Sequence, residues 1–477
     1  MDEQWQKEVA VLPVEENEGS EMNTETKEFK SVQWEAWRLS QVAMVVFLYM
    51  LSVSMLLPAY PALLLRVFDG DDGDAAQWQG MLMGMKSVLE LMGAPLIGAY
   101  SDRHGRRQIL LFSVGVQVLE SALVGLFPSL FVLSVVKIIG GLTNGTILTA
   151  HTIITDISQH RGYGSAKTAQ NFGILGASFG VAFIIGPLTG GYLTKFSLQA
   201  PCGISAVIAF VLLMFIFFCF EETLISTPRA KFQWSSLNPI PSLRIFVKTP
   251  VLDMLSVPYF LITVAGAVYM SFYMFCDYVF SWTAFEVGSF MAAVGAIVTL
   301  NQGVLLRVAV PKYLSQENCV IASNFLHVCG FVLYGLCTQG WMLYAVLATT
   351  ASACIGDPTM IAVMASFVSP TSQGVFQGAL HSLKTLAHAF GAPLFSTVFA
   401  YFIGESFVEV AGFTLPGAAF FLAGLLSLGA WAICLYIFKV DPAYARQSAK
   451  RQAADDFEDK TALCKKDDNV VNSPGFC

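Results

Sequence analysis

Apolar runs of about 20 residues recur along this chain, each long enough to cross a bilayer as a helix. Twelve can be marked, near 38–65, 77–100, 108–127, 130–156, 168–196, 203–220, 251–280, 287–307, 318–338, 341–368, 374–403 and 414–439. A polar segment, 221–250, divides them six and six. It carries Pro228, Pro239, Pro241 and Pro250 among four basic residues and reads as a linker. Residues 1–37 hold ten acids and three lysines with no apolar core, which predicts a solvated tail and excludes a secretory signal. Residues 440–477 form a second tail of mixed charge. The pattern predicts an all-α membrane protein with twelve transmembrane helices in two six-helix halves, 38–220 and 251–439.

Composition agrees with the pattern. Of 477 residues, 55% are hydrophobic and only 13% charged, about half the charged share of a soluble domain. A net charge of −7 argues against a general nucleic-acid binder. The ten cysteines are scattered, mostly inside apolar runs, and read as small packing residues. Charge placement sets the orientation. With both termini inside, 22 of the 27 Lys and Arg fall in inside loops and tails. Only Arg66 and Lys195 fall outside, while Lys86, Lys137 and Lys384 lie within spans. This is the positive-inside bias of a multi-pass protein with cytoplasmic termini.

The sharpest local feature follows the second run: Gly98, Asp102, Arg103, Gly105, Arg106 and Arg107 within ten residues. This stretch resembles the G-x-L-a-D-r-x-G-r-k-x-x-l loop of the major facilitator superfamily, which lies between the same two spans. Tyr100 and Ser101 depart from it. Lys137, Gly140 and Gly141 resemble the family's R-x-x-q-G in the fourth span, and Asp156 closes that span where tetracycline/proton antiporters carry an acid. Gly186, Pro187, Gly190 and Gly191 resemble the antiporter G-P-x-x-G-G, with Ala182 where a further glycine is usual. Gln373, Gly374, Gln377, Gly378, Gly391 and Pro393 resemble a stretch shared by tetracycline antiporters and hippocampus-abundant-transcript-type transporters. Arg307 to Lys312 is a degenerate second-half counterpart of the first loop. A weak internal repeat, Gln170 and Gly173 against Gln377 and Gly378, has the same thirteen-residue step from glycine to glycine in both halves.

The resemblance implies a solute transporter working by alternating access, with protons as the coupling ion, no cofactor and a monomeric chain. Antiport is the leading expectation. A facilitative uniporter or a proton symporter of a nutrient-like solute is the alternative within the class, and a non-transporting receptor or scaffold the alternative outside it. The membrane is either the plasma membrane or that of an organelle. In the family fold Asp102 faces the start of the eleventh span near Gly374, where exposed N–H groups favour a carboxylate. Arg106 can reach Asp156. Together these contacts would hold the halves together at the inner end and act as a conformational gate. Gly186 and Pro187 would bend the fifth span, with Gly190 and Gly191 allowing close helix contact.

Ionisable residues inside spans mark sites by default. Lys86 and Glu90 are four apart on one face of the second span and can pair. Lys137, Asp357 and Lys384 lie at middle depth. The family's first, fourth, seventh and tenth spans line the cavity, which ranks Lys137 and Asp357 first as solute or proton contacts. Tyr273 belongs to an aromatic set on the seventh span with Tyr269, Phe272, Phe275 and Tyr278, a candidate wall for an organic solute. Each charge could instead be half of a structural ion pair packing two helices. Glu120, on the third span, is expected to be peripheral. His151, His327, His381 and His388 read as helix-packing groups. No motif for an enzyme is present.

Overall fold

The computed structural model describes residues 21–160, 165–223, 240–248, 250–301, 315–368, 373–441 and 444. Eleven helices among them are long and apolar enough to span a membrane: Ala36–Val67, Asp72–His104, Arg106–Leu126, Leu130–Ser158, Asn171–Leu193, Ala200–Cys219, Pro250–Phe280, Gln316–Leu336, Gly340–Ala365, Val375–Ile403 and Ala418–Lys439. The shorter apolar helix Ala284–Leu300 follows the seventh and completes the twelve.

Several boundaries differ from the pattern. The first helix extends back to Glu21, into the segment expected to be a solvated tail, because no proline or glycine interrupts it before Pro58. Part of the expected linker is helical, Ile240–Lys248. An extra short helix, Glu405–Ala411, follows the eleventh span. Gln170, Gly374, Arg307 and Lys312 carry expectations whose side-chain settings lie outside the described residues.

Three spans are interrupted. The fourth consists of Leu130–Thr143 and Thr146–His160, broken at Asn144 and Gly145. The tenth consists of Gly340–Ala353 and Gly356–Ala365, broken at Cys354 and Ile355. Each break follows a 14-residue helix, so the two halves repeat this feature at the same place. The seventh span passes through a 3-10 turn, Ala267–Ser271, before Phe272–Phe280. Broken backbone at membrane depth persists only where side chains or water satisfy the freed groups. At the fourth-span break, Tyr49 Oη donates to Asn144 Oδ1 at 2.9 Å.

The halves join at one end of the bundle, called here the Asp72 end. A core there combines Ala62, Ala75 and Ala76 of the first half with Val264, Phe272, Phe275 and Phe420 of the second. Gln79 donates its side-chain amide to the Met270 carbonyl across the join. Small residues let the backbones approach. A Cβ on Gly80 would strike Ser396, one on Gly84 would strike Pro393, and one on Gly191 would strike the Ala284 carbonyl. At the opposite end, the Arg106 end, the cores are separate. One draws only on the first half, around Val42, Ile153 and Leu212, and the other only on the second, around Leu255, Met364 and Phe376. At that end Gly98 and Gly378 have no neighbour within 4 Å of an added Cβ.

Candidate functional site

The loop at the Arg106 end is built on Gly105, whose φ of 109° favours glycine. Helix Asp72–His104 ends there and helix Arg106–Leu126 begins. Glu222 reaches across and accepts the Arg106 backbone N–H at 2.8 Å and that of Arg107 at 3.2 Å. A carboxylate at a helix N-terminus satisfies orphan donors and complements the dipole. The Arg106 side chain is buried. Its Nε donates to Asp156 Oδ2 at 2.9 Å, and its Nη1 donates to Ser101 Oγ at 2.9 Å and to Asp102. Asp102 remains 56% exposed. Its recorded pairing stays inside the first half, where the expectation was a contact with the eleventh span. In this conformation the halves are separately packed at that end, so Arg106 takes both acids. Glu222 escaped the sequence reading because it lies 116 residues from Arg106.

The Gly186, Pro187, Gly190 and Gly191 segment sits inside a continuous helix, Ser165–Leu193. An added Cβ would meet Ser54 at Gly186 and the Met55 carbonyl at Gly190. Gly191 and Pro187 instead face the eighth span, Pro187 through its carbonyl against Gly288. The segment therefore packs the fifth span against the first and eighth together. Ala182 is buried, and its carbonyl accepts the Ser54 hydroxyl at 3.2 Å.

The central charges separate into two settings. Lys137 Nζ donates to Glu120 Oε1 at 3.1 Å, with both side chains 10% exposed. The ammonium also lies 4.1 Å from the Tyr60 ring centroid, a cation–π contact. Lys137, expected on the cavity wall, is buried against Glu120 and the Tyr60 ring, and Glu120 is likewise buried. The fourth span turns this face toward the third, where Gly140 admits the Glu120 carboxylate.

Lys384 Nζ donates to Asp357 Oδ2 at 2.8 Å, with the side chains 39% and 42% exposed. Both line a cavity of about 200 Å³ in the second half, beside Tyr259, Asn324, His327 and His388. One of its polar atoms, Tyr259 Oη, is buried without a hydrogen-bond partner among the described residues, whereas the His327 ring interacts with the Ser323 backbone one turn back. Buried polar groups are normally paired, so the Tyr259 hydroxyl is available to a bound molecule. Lys86 and Glu90 do not pair with each other. Glu90 Oε1 instead lies 3.8 Å from His381 Nε2.

The aromatic set of the seventh span does not line the Asp357–Lys384 cavity. Phe272, Tyr273 and Phe275 are buried in the core that joins the halves. Tyr273 touches a different cavity, of about 610 Å³ at the Asp72 end, with Arg66, Lys195, Asp277 and Glu286. The 3-10 turn places Tyr273 beyond the middle of the span.

Eleven long apolar helices and a shorter one among the described residues, in two halves joined at one end and separately packed at the other, have the architecture of a membrane transporter. The chain belongs to the Major Facilitator Superfamily, whose family model matches residues 42–392. It is 29% identical over 383 residues to the class C tetracycline resistance protein of Escherichia coli, covering 80% of this chain and 94% of that one. It is 24% identical over 387 residues to the human hippocampus abundant transcript-like protein 1, covering 77% and 74%. The crystal structure of the human organic anion transporter MFSD10 (TETRAN) superposes with a TM-score of 0.63 at 23% identity, covering 84% of this chain and 99% of that one. That of the nucleoside transporter NupG gives 0.65 at 14% identity, covering 84% and 99%. The chain is a transporter rather than an enzyme.

Proposed function

We propose that the protein exchanges a small organic solute for protons, with the solute bound at the Asp357–Lys384 cavity. The observation that carries this reading is the cavity itself. It offers one half-exposed charge of each sign beside the unpartnered Tyr259 hydroxyl. A solute can replace partners that an exposed ion pair gives up at little cost. The likeness to tetracycline resistance proteins supports export and supplies a first probe.

With the basic loops cytoplasmic, the Arg106 end faces the cytosol and the described conformation is inward-open. Asp102 is then free on one side to meet the eleventh span when that end closes, while Arg106 and Asp156 hold the first half's own surface in shape.

The test is flux of radiolabelled tetracycline, then of a panel of organic anions, in reconstituted vesicles with and without a pH gradient. Antiport predicts that an opposed proton gradient drives accumulation. Equal rates with and without the gradient would indicate a uniporter, accumulation along the proton gradient a symporter, and no flux of any probe a receptor or scaffold.

A further inference from the structure

We propose that Glu90 and His381 form the coupling-proton site, a latch between the halves that the proton closes. This rests on the proton-coupled reading above.

Five ion pairs occur among the described residues, each within one half. A further contact, an ion pair only when the histidine is protonated, joins Glu90 of the second span to His381 of the eleventh at 3.8 Å. The distinction matters because a ligand shifts a two-state equilibrium only through a difference in affinity between the states. The Asp357–Lys384 and Lys137–Glu120 pairs each ride inside one half, and rocking the halves leaves their separations unchanged. The Glu90–His381 separation changes with the rocking itself. A proton there is linked to the conformation directly.

Its position fits. The second and eleventh spans run antiparallel and touch from Gly80 against Ser396 to Gly84 against Pro393 and Ala389. Glu90 and His381 follow at the end of this zone. Beyond them lie Gly98 and Gly378, which have no close neighbour. The His381 side chain is 41% exposed and that of Glu90 20%, so neither is sealed in the packed core.

The surrounding charges are few and mostly committed. On the eleventh span, Lys384 and His388 follow His381 at helical spacing on the same face. Lys384 is held by Asp357, and His388 feels Glu90, Lys384 and Asp357. His151 on the fourth span lies in the field of His381, Tyr49 on the first lies in the field of Glu90, and Lys86 is one turn from Glu90. Among these, imidazole is the group whose charge changes near neutral pH.

The step balances with one proton. Water on the accessible side gives H⁺ to the neutral His381 ring, forming one N–H bond. The imidazolium then attracts the Glu90 carboxylate and holds the second and eleventh spans together. Release to water at the Arg106 end breaks that bond, restores the neutral ring and loosens the latch.

The test uses the full chain with native cysteines replaced and nitroxides at Tyr100→Cys and Val375→Cys, both exposed at the Arg106 end. Label separation is measured by pulsed electron resonance without solute. In the parent, the ratio of parted to closed forms should rise about tenfold from about pH 7.5 to about pH 5.5. His381→Gln and Glu90→Gln should each flatten the response. His381→Arg, a fixed cation, should hold the Arg106 end parted at both values, which decides the matter if the glutamine variants do not fold. A His381→Gln or His381→Arg protein that responds to pH like its parent overturns the proton site and leaves proton coupling standing. A parent that does not respond overturns both.

Discussion

Two lysine–carboxylate pairs sit within the spans of this transporter, one in each half, and they differ in everything but chemistry. Lys137–Glu120 is sealed, at 10% exposure on both sides, with a tyrosine ring against the ammonium. Lys384–Asp357 is about 40% exposed and faces a cavity with the unpartnered Tyr259 hydroxyl. A sealed pair is expensive to break, because removing one partner strands a charge in low dielectric, at about 3–5 kcal/mol. An exposed pair is worth about 0–1 kcal/mol and can trade partners. Exposure, more than charge or depth, separates the pair that holds helices together from the pair that can bind.

The largest effect should come from Lys137→Ala. It leaves Glu120 buried and unpaired, and thermal unfolding in detergent should show a loss of about 3–5 kcal/mol. Pairing Lys137→Met with Glu120→Gln removes both charges and should recover most of it. If Lys137→Ala left stability unchanged but abolished transport, the division between the two pairs would collapse.

Gly140→Ala sharpens the same point. An added Cβ would stand 2.7 Å from Glu120 Oε2, and that carboxylate cannot retreat without leaving Lys137. Alanine gains up to about 1 kcal/mol in helix propensity, so the net loss should be about 1–2 kcal/mol after the overpacking penalty. The same unfolding assay reads it. A stabilised Gly140→Ala protein would mean the pair is loose.

Much of this was legible in the chain. Twelve spans, the six-and-six division and the loop from Gly98 to Arg107 follow from apolar length and residue spacing. Partnerships across long separations were not. Lys137 meets Glu120 because of how the third and fourth spans rotate, and rotation is set by packing that no single run of residues encodes. Glu90 looked like the partner of Lys86 by its four-residue spacing, yet the eleventh span brings His381 closer. His381, Lys384 and His388 recur at i, i+3 and i+7, a spacing that already places all three on one helix face.

The smallest stability effect, and the largest on function, should come from Asp357→Asn and Lys384→Gln. Each removes one charge of a pair that already sees solvent, so unfolding should shift by less than about 1 kcal/mol. Asparagine keeps the shape of Asp357 and can still accept a hydrogen bond from Lys384. What it loses is the negative charge offered to a solute. Under the proposed mechanism Asp357→Asn should weaken tetracycline binding while leaving the pH response of the Tyr100–Val375 separation in place, since that response belongs to Glu90 and His381. The two readouts therefore divide. Weak binding with an intact pH response places the solute at the second-half cavity and the proton at the latch. Undiminished binding in both variants would remove this cavity from the solute path. A lost pH response in Asp357→Asn would return the proton to the tenth span.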